Sequence, residues 1–346
     1  MTELLQRFTS LARTAAKARD MRDRQPPELR TGGRAGTTTV YYLTPHLDEP
    51  SGGVRVLYRH VDVLNAAGIP AAVVHARRNF RCTWFENDTR VVSADEVVLG
   101  PDDVLVVPEY YAAGFARLPA DVPLVVFNQG AYHAFDTVDP DPGRPGAPYS
   151  QLPQLVGMLA VSQDNRALID LTRPGVPVHV CRPVVDGAIF HPGTTAPDRR
   201  LGYVVARRPL EARLLEHVLY AQHVDWPVVR IQGVPEAEVG ALMRGCAVFV
   251  SLSDLDGFGM PPAEAMASGC FVVGYAGGGG EELFDPTWSE QVTSFRGLAD
   301  AVLRATRRPL DELAAHGRRA SEHVLAYYTA DGLRTDLETA FAGLVR

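Results

Sequence analysis

The sequence predicts an α/β protein made of two doubly wound parallel-sheet domains, and two observations lead there. Continuous apolar strands alternate with helix-like segments along most of the chain, the pattern of a parallel sheet covered on both faces. That alternation restarts near residue 200, and 346 residues suit two ordinary domains better than one. No apolar run reaches the length of a membrane span. A net charge of -7 argues against nucleic acid as the main partner. Cys82, Cys181, Cys246 and Cys270 lie far apart with no metal-like pairing, so they read as reduced, buried thiols of a cytoplasmic protein.

In chain order, residues 1–25 carry Leu4, Leu5, Phe8 and Leu11 at helical spacing, with Arg7, Arg13, Lys17 and Arg19 around them. This amphipathic helix reads as packing on the domain or on a second subunit in a homodimer. The alternative is a peripheral foothold of residues 1–20 on the inner face of a membrane. PPELRTGGRAGTT is a linker by composition, so the first region is bounded at 1–36 and the first domain runs over 37–190. TVYYLTPHL opens the strands, followed by IPAAVVHA, DVLVVPE, VPLVVFNQG, MLAVSQ and VHVCRP, with a helix over VRVLYRHVDVLNAAG that stops at Gly68. Ligands of such sheets bind beyond the carboxyl ends of the strands. The loop bearing Gly52 and Gly53 and the polar cluster Asn128, Gln129 and His133 are therefore candidates. RRLGYVVARRPLEARLLEHVLYA, VVRIQGV and EAEVGALMRGC repeat the pattern over a second domain, 191–324, with Arg208 and Arg213 at a strand-to-helix turn. The end of the chain reads as two helices around a break at Thr329-Ala330-Asp331.

The chain is organised around Val248 to Phe284, VFVSLSDLDGFGMPPAEAMASGCFVVGYAGGGGEELF. A strand leads into a turn at Gly257 and Gly259, and a helix starts at Pro261-Pro262, where proline is tolerated. That helix closes at Gly269, and a second strand runs into consecutive glycines that include Gly278 and Gly279. A β-α-β unit with two glycine-rich exits is a cradle for phosphate or sugar, because backbone N–H groups approach a ligand closely only where side chains are absent. Asp256 sits before the turn and Glu264 in the first helical turn. The helix macrodipole alone can account for an acid there.

Read whole, DGFGMPPAEAMASG resembles the C-terminal-domain signature of the retaining, nucleotide-sugar-dependent glycosyltransferases of family 4. These have the GT-B fold, two Rossmann-like domains facing each other across a cleft. The resemblance implies a hexosyltransferase that moves a sugar from a nucleoside-diphosphate sugar, as co-substrate, to a hydroxyl of a glycan, lipid-linked or small-molecule acceptor. It implies retention of configuration and neither metal nor other cofactor. Glu264 would hold the donor ribose, while Asp256 and the amides of Phe258 and Gly259 address the donor sugar. Gly52, Gly53, Gly278 and Gly279 would border the donor, and Arg208 and Arg213 would stabilise the departing diphosphate. Asn128, Gln129 and His133 would face the reaction centre. Asp186, Phe190 and Pro192 match the inter-domain crossing, and the segment 325–346 would return to the first domain.

The family normally has Glu where this chain has Asp256, and His where it has Asn128. These departures motivate an alternative, a catalytically weak subunit that binds a sugar nucleotide. A sugar-nucleotide epimerase of the same fold is another. The absence of GxxxxGK[ST] and GxGxxG lowers the case for a nucleotide hydrolase or dinucleotide enzyme. Lys17, the sole lysine, lies outside the sheets and so excludes a pyridoxal-dependent phosphorylase. In a retaining enzyme of this family the leaving phosphate itself takes the acceptor proton. Inversion would instead need a base, for which Glu109 and His133 are the candidates.

Overall fold

The computed structural model describes residues 24–345 apart from 48, 134, 137, 138, 147, 173 and 206, so the amphipathic helix read at the N-terminus lies almost wholly outside the described residues. The first lobe is a seven-stranded sheet of β1 (Val40–Leu43), β2 (Ala71–His75), β3 (Val91–Ser93), β4 (Val104–Pro108), β5 (Leu124–Asn128), β6 (Leu155–Ala160) and β7 (Val178–Val180). The strands lie in the order β3-β2-β1-β4-β5-β6-β7, and every pairing is parallel. The order reverses between β1 and β4, which opens a crevice at their carboxyl ends. β2, β4 and β5 are buried at every residue, as unalternated apolar runs require when helices cover both faces. Helix α1 (Gly52–Ala66) leaves β1, with the Ser51 hydroxyl accepting from the Val54 amide, and stops before Gly68 at φ +80°. Helix α2 (Gln163–Leu171) is capped in the same way by Ser162.

The second lobe is a five-stranded parallel sheet of β8 (Asp198–Val204), β9 (Val228–Ile231), β10 (Cys246–Leu252), β11 (Phe271–Tyr275) and β12 (Ser289–Gln291), ordered β9-β8-β10-β11-β12. Its helices are α3 (Pro209–Ala221), α4 (Glu236–Arg244), α5 (Met260–Ala267), α6 (Phe295–Thr306) and α7 (Leu310–Tyr327). Helix α5 begins at Met260, directly before the proline pair, and ends two residues before Gly269, whose φ of +85° a side chain would disfavour. The two doubly wound sheets are those the sequence predicts. The four cysteines are buried, and no helix among the described residues is long and apolar enough to cross a membrane.

Two boundaries differ from the sequence reading. The segment read as a linker is pinned to the first lobe, because Arg30–Thr31 pairs in parallel with Val98–Leu99 and the Gly33 amide donates to the Leu99 carbonyl at 3.0 Å. A Cβ on Gly33 would press on the Val98 carbonyl, so the glycine there permits a backbone contact that composition alone reads as looseness. The return to the first lobe begins after α7 rather than at residue 325. Helix α7 stays on the second lobe against α5 and β11, whereas α8 (Ala330–Phe341) packs on α1 and β7. Arg182 holds Asp336 of α8 through two guanidinium hydrogen bonds, at 2.7 and 2.8 Å, and one from its backbone amide, at 3.1 Å.

Candidate active site

A cleft of about 1230 Å³ lies between the lobes, lined by the loops leaving β1, β4 and β5 on one side and β8, β9 and β10 on the other. The loop after β10 forms its centre. The Asp256 amide donates to the Gly277 carbonyl at 2.8 Å, and the Gly279 amide donates to the Asp256 carbonyl at 3.0 Å, so the two glycine-rich loops pair as a short extension of the sheet. A Cβ on Gly279 would overlap the Gly257 carbonyl. Gly278 and Gly279 therefore support the loop from behind and do not line the cleft, unlike the expectation that they border the donor.

Gly257, which the sequence reading used only as a turn former, is where the lobes meet. A Cβ there would overlap the Gln129 carbonyl oxygen, and the Gly257 carbonyl accepts the Ser162 hydroxyl at 2.6 Å. The Gln129 side chain donates in turn to the Gly53 carbonyl at 3.2 Å. Gly53, Gln129 and Gly257 thus come together across the cleft. Gly52, His133, Asp256, Phe258, Gly259 and Glu264 line it as well.

The arginines are distributed otherwise than expected. Arg208, in a left-handed conformation at φ +45°, donates to the Ser253 carbonyl at 3.0 Å and pairs with Glu211 at 3.0 Å and Asp254 at 2.8 Å. Its guanidinium also lies 4.1 Å from the centre of the Tyr275 ring. It is spent inside the second lobe, and neither it nor Arg213, exposed on α3, lines the cleft. Arg207 does, paired with Asp256 at 3.2 Å. Adjacent arginines look alike in sequence. The left-handed turn decides which one faces the cleft.

Glu264 is buried at the start of α5 and is met at 2.6 Å by Arg55, which reaches across from α1 and also pairs with Glu236. Burial pushes the Glu264 carboxyl up, and the Arg55 charge opposes that. Asn128 plays another part than the sequence implied. Its side chain donates to the Tyr149 hydroxyl at 3.1 Å and accepts from the Gly130 amide at 3.2 Å, so it builds the turn after β5 and leaves the cleft to Gln129.

Glu109, directly after β4, lines the cleft while its Oε2 is sealed from solvent without a hydrogen-bond partner among the described residues. Burial raises its pKa to about 7 from 4.5, against the pull of the Gln129 and Gly130 backbone and of Arg24. In the unfolded chain this carboxyl ionises first, so wild-type stability falls as pH rises from 4.5 to about 7 and stays lower above that. Glu109→Gln removes the cost. It should melt with the wild type at pH 4, below the unfolded value, and be more stable at pH 8 by roughly 1–3 kcal/mol, the lower half applying because the residue keeps some open surface. Melting curves at the two pH values check this, and an equal gain at both would refute it.

Two facing doubly wound lobes, crossed twice by the chain around one cleft, define the GT-B class. Solved structures similar to this chain share that fold. Sucrose-phosphate synthase from Thermosynechococcus elongatus aligns with a TM-score of 0.69 at 14% identity, covering 89% of this chain and 99% of that one. HepE from Anabaena, in complex with UDP and glucose, aligns with a TM-score of 0.64 at 12% identity over 89% of this chain and 100% of its own. Residues 214–308 match the family model described as glycosyl transferases group 1. An alpha-1,6-glucosyltransferase of Actinobacillus pleuropneumoniae serotype 7 (strain AP76) is 22% identical over 236 residues, 66% of this chain and 69% of the relative. The structural likeness gives the GT-B fold, and the family match with the curated relative supports a glycosyltransferase.

Proposed function

We propose that the protein is a retaining hexosyltransferase that moves a sugar from a nucleoside-diphosphate sugar to an acceptor hydroxyl without a metal. The observation that carries this reading is the convergence of Asp256, Arg207 and Glu264 on the second-lobe wall, around the glycine loop and the start of α5. Glu264 would take the ribose hydroxyls on the oxygen that Arg55 leaves free. Arg207 and the first amides of α5 would receive the diphosphate, whose charge grows as the sugar leaves. Asp256 and the Gly259 amide would hold the sugar. Asp254 and Asp256, the acidic pair nearest the diphosphate, are each neutralised by an arginine, which supports cation stabilisation by the protein itself. The leaving phosphate would take the acceptor proton on the same face, and the part played by the chain would be positioning. Four buried thiols fit a reducing cytoplasm.

HepE is described with UDP-glucose, so that donor is the first to try. Turnover in the presence of EDTA, with proton NMR of the product, should show an α-linkage from the α-linked donor. A β-linked product would overturn retention, and activity lost to EDTA and restored by magnesium would overturn the metal-free step. Glu264→Gln should fold as the wild type does and bind nucleoside diphosphate more weakly by roughly 1–3 kcal/mol. Thermal shift with the diphosphate reads this, and an unchanged shift would remove Glu264 from the ribose.

A further inference from the structure

The donor chemistry leaves Glu109 unused. It stands where β4 opens onto the cleft, with the turn after β5 lying directly on it: a Cβ on Gly130 would come within 3.6 Å of its Oε1 and 3.1 Å of the His133 ring. Its Oε2 is buried with no donor among the described residues. A buried carboxyl oxygen without a donor is costly in a folded protein and needs a reason, and the carboxyl that carries it borders the cleft. The rest of this first-lobe wall fits a sugar. The Trp84 indole donates to the Leu47 carbonyl at 3.3 Å, which fixes it beside Phe85 with ring centres 4.5 Å apart, and both rings line the cleft partly exposed. Aromatic faces receive the C–H faces of sugar rings while a carboxylate takes their hydroxyls.

The charges on this wall argue against an anionic acceptor. Among the described cleft-lining residues of the first lobe, Arg55 is the only arginine or lysine, and it is held by Glu236 and Glu264. Glu49 and Glu109 on the same wall would repel a phosphate.

We propose that the Glu109 carboxyl binds the acceptor hydroxyl and that the acceptor is an uncharged carbohydrate seated against Trp84 and Phe85. This deepens the transferase reading and rests on it. The test begins with thermal shifts by UDP, GDP, ADP and dTDP. Wild type, Glu109→Gln and Trp84→Ala are then assayed with the hexose nucleotide of whichever diphosphate binds. One arm offers methyl hexosides and maltose, and the other glucose 6-phosphate. The wild type should glycosylate a neutral saccharide. Both variants should raise its KM at least about 10-fold, the loss of one charge-assisted contact or one stacking face, while the diphosphate shift stays that of the wild type. Transfer to glucose 6-phosphate alone, transfer to neither arm, or an unchanged acceptor KM in Glu109→Gln overturns the proposal and leaves donor binding standing. A wild type shifted by none of the diphosphates removes the transferase reading itself, and this proposal with it.

Discussion

Gly257→Ala should fold and lose nearly all transfer activity. Its added methyl would collide with the Gln129 carbonyl, which is backbone and not the far end of a flexible side chain, so neither partner can step aside cheaply. Gly257 is not among the residues with positive φ, so the residue itself is not strained and the obstacle is the opposite lobe. Each lobe has a core cluster of its own that Gly257 does not enter, and the third cluster, which spans both lobes, loses no side chain by the substitution. Stability should therefore change little. What changes is the seating of the loop that carries Asp256 and Phe258, and displacements of about 1 Å at a reaction centre cost on the order of 100-fold in rate. Melting temperature and kcat measured together decide the matter. A kcat within about threefold of wild type would mean that the contact between Gly257 and Gln129 has no part in turnover.

The second large effect is expected at Arg207. Removing a fixed cation from a charge that develops in the transition state costs about 100- to 1000-fold in kcat, with a smaller effect on donor KM. Arg207→Ala should behave so. Arg213→Ala, exposed on α3, should be indistinguishable from wild type. Arg208→Ala should lower stability instead, since Ser253, Glu211 and Asp254 all depend on that guanidinium. If Arg213→Ala loses rate while Arg207→Ala does not, the diphosphate belongs where the sequence first placed it.

The parts of this molecule that were legible in its sequence are those whose cause is local. Apolar runs such as VLVVP and LVVFN can be nothing but covered strands, and the proline pair and Gly269 bracket α5 because their backbones admit few other conformations. Glu264 and Asp256 could be found because their surroundings, a glycine turn and a helix start, lie within a few residues of them. Arg55 could not. Its partners Glu236 and Glu264 lie in the other lobe, and nothing near it in the sequence distinguishes it from the charged flank of any helix. Gly257 likewise reads as a turn until Gln129 is placed against it. Asn128 shows the opposite error, since a polar residue at a strand exit resembles a ligand contact until Tyr149 and Gly130 are seen to use both ends of its amide. Trp84 and Phe85 lie in an irregular loop, where no periodicity marks a side chain as facing a cleft.

The grip of Arg182 on Asp336 has a consequence for how the protein is made. β7 and α8 belong to one lobe, yet the entire second lobe is encoded between them. A ribosome therefore delivers every residue of the second sheet before it delivers the helix that covers α1. The inserted lobe has a contiguous sequence and can close its core first, whereas the lobe begun earlier is finished later. Until α8 emerges, the side of α1 that it covers stays open to chaperones and proteases, so a nascent chain that stops short is displayed as unfinished.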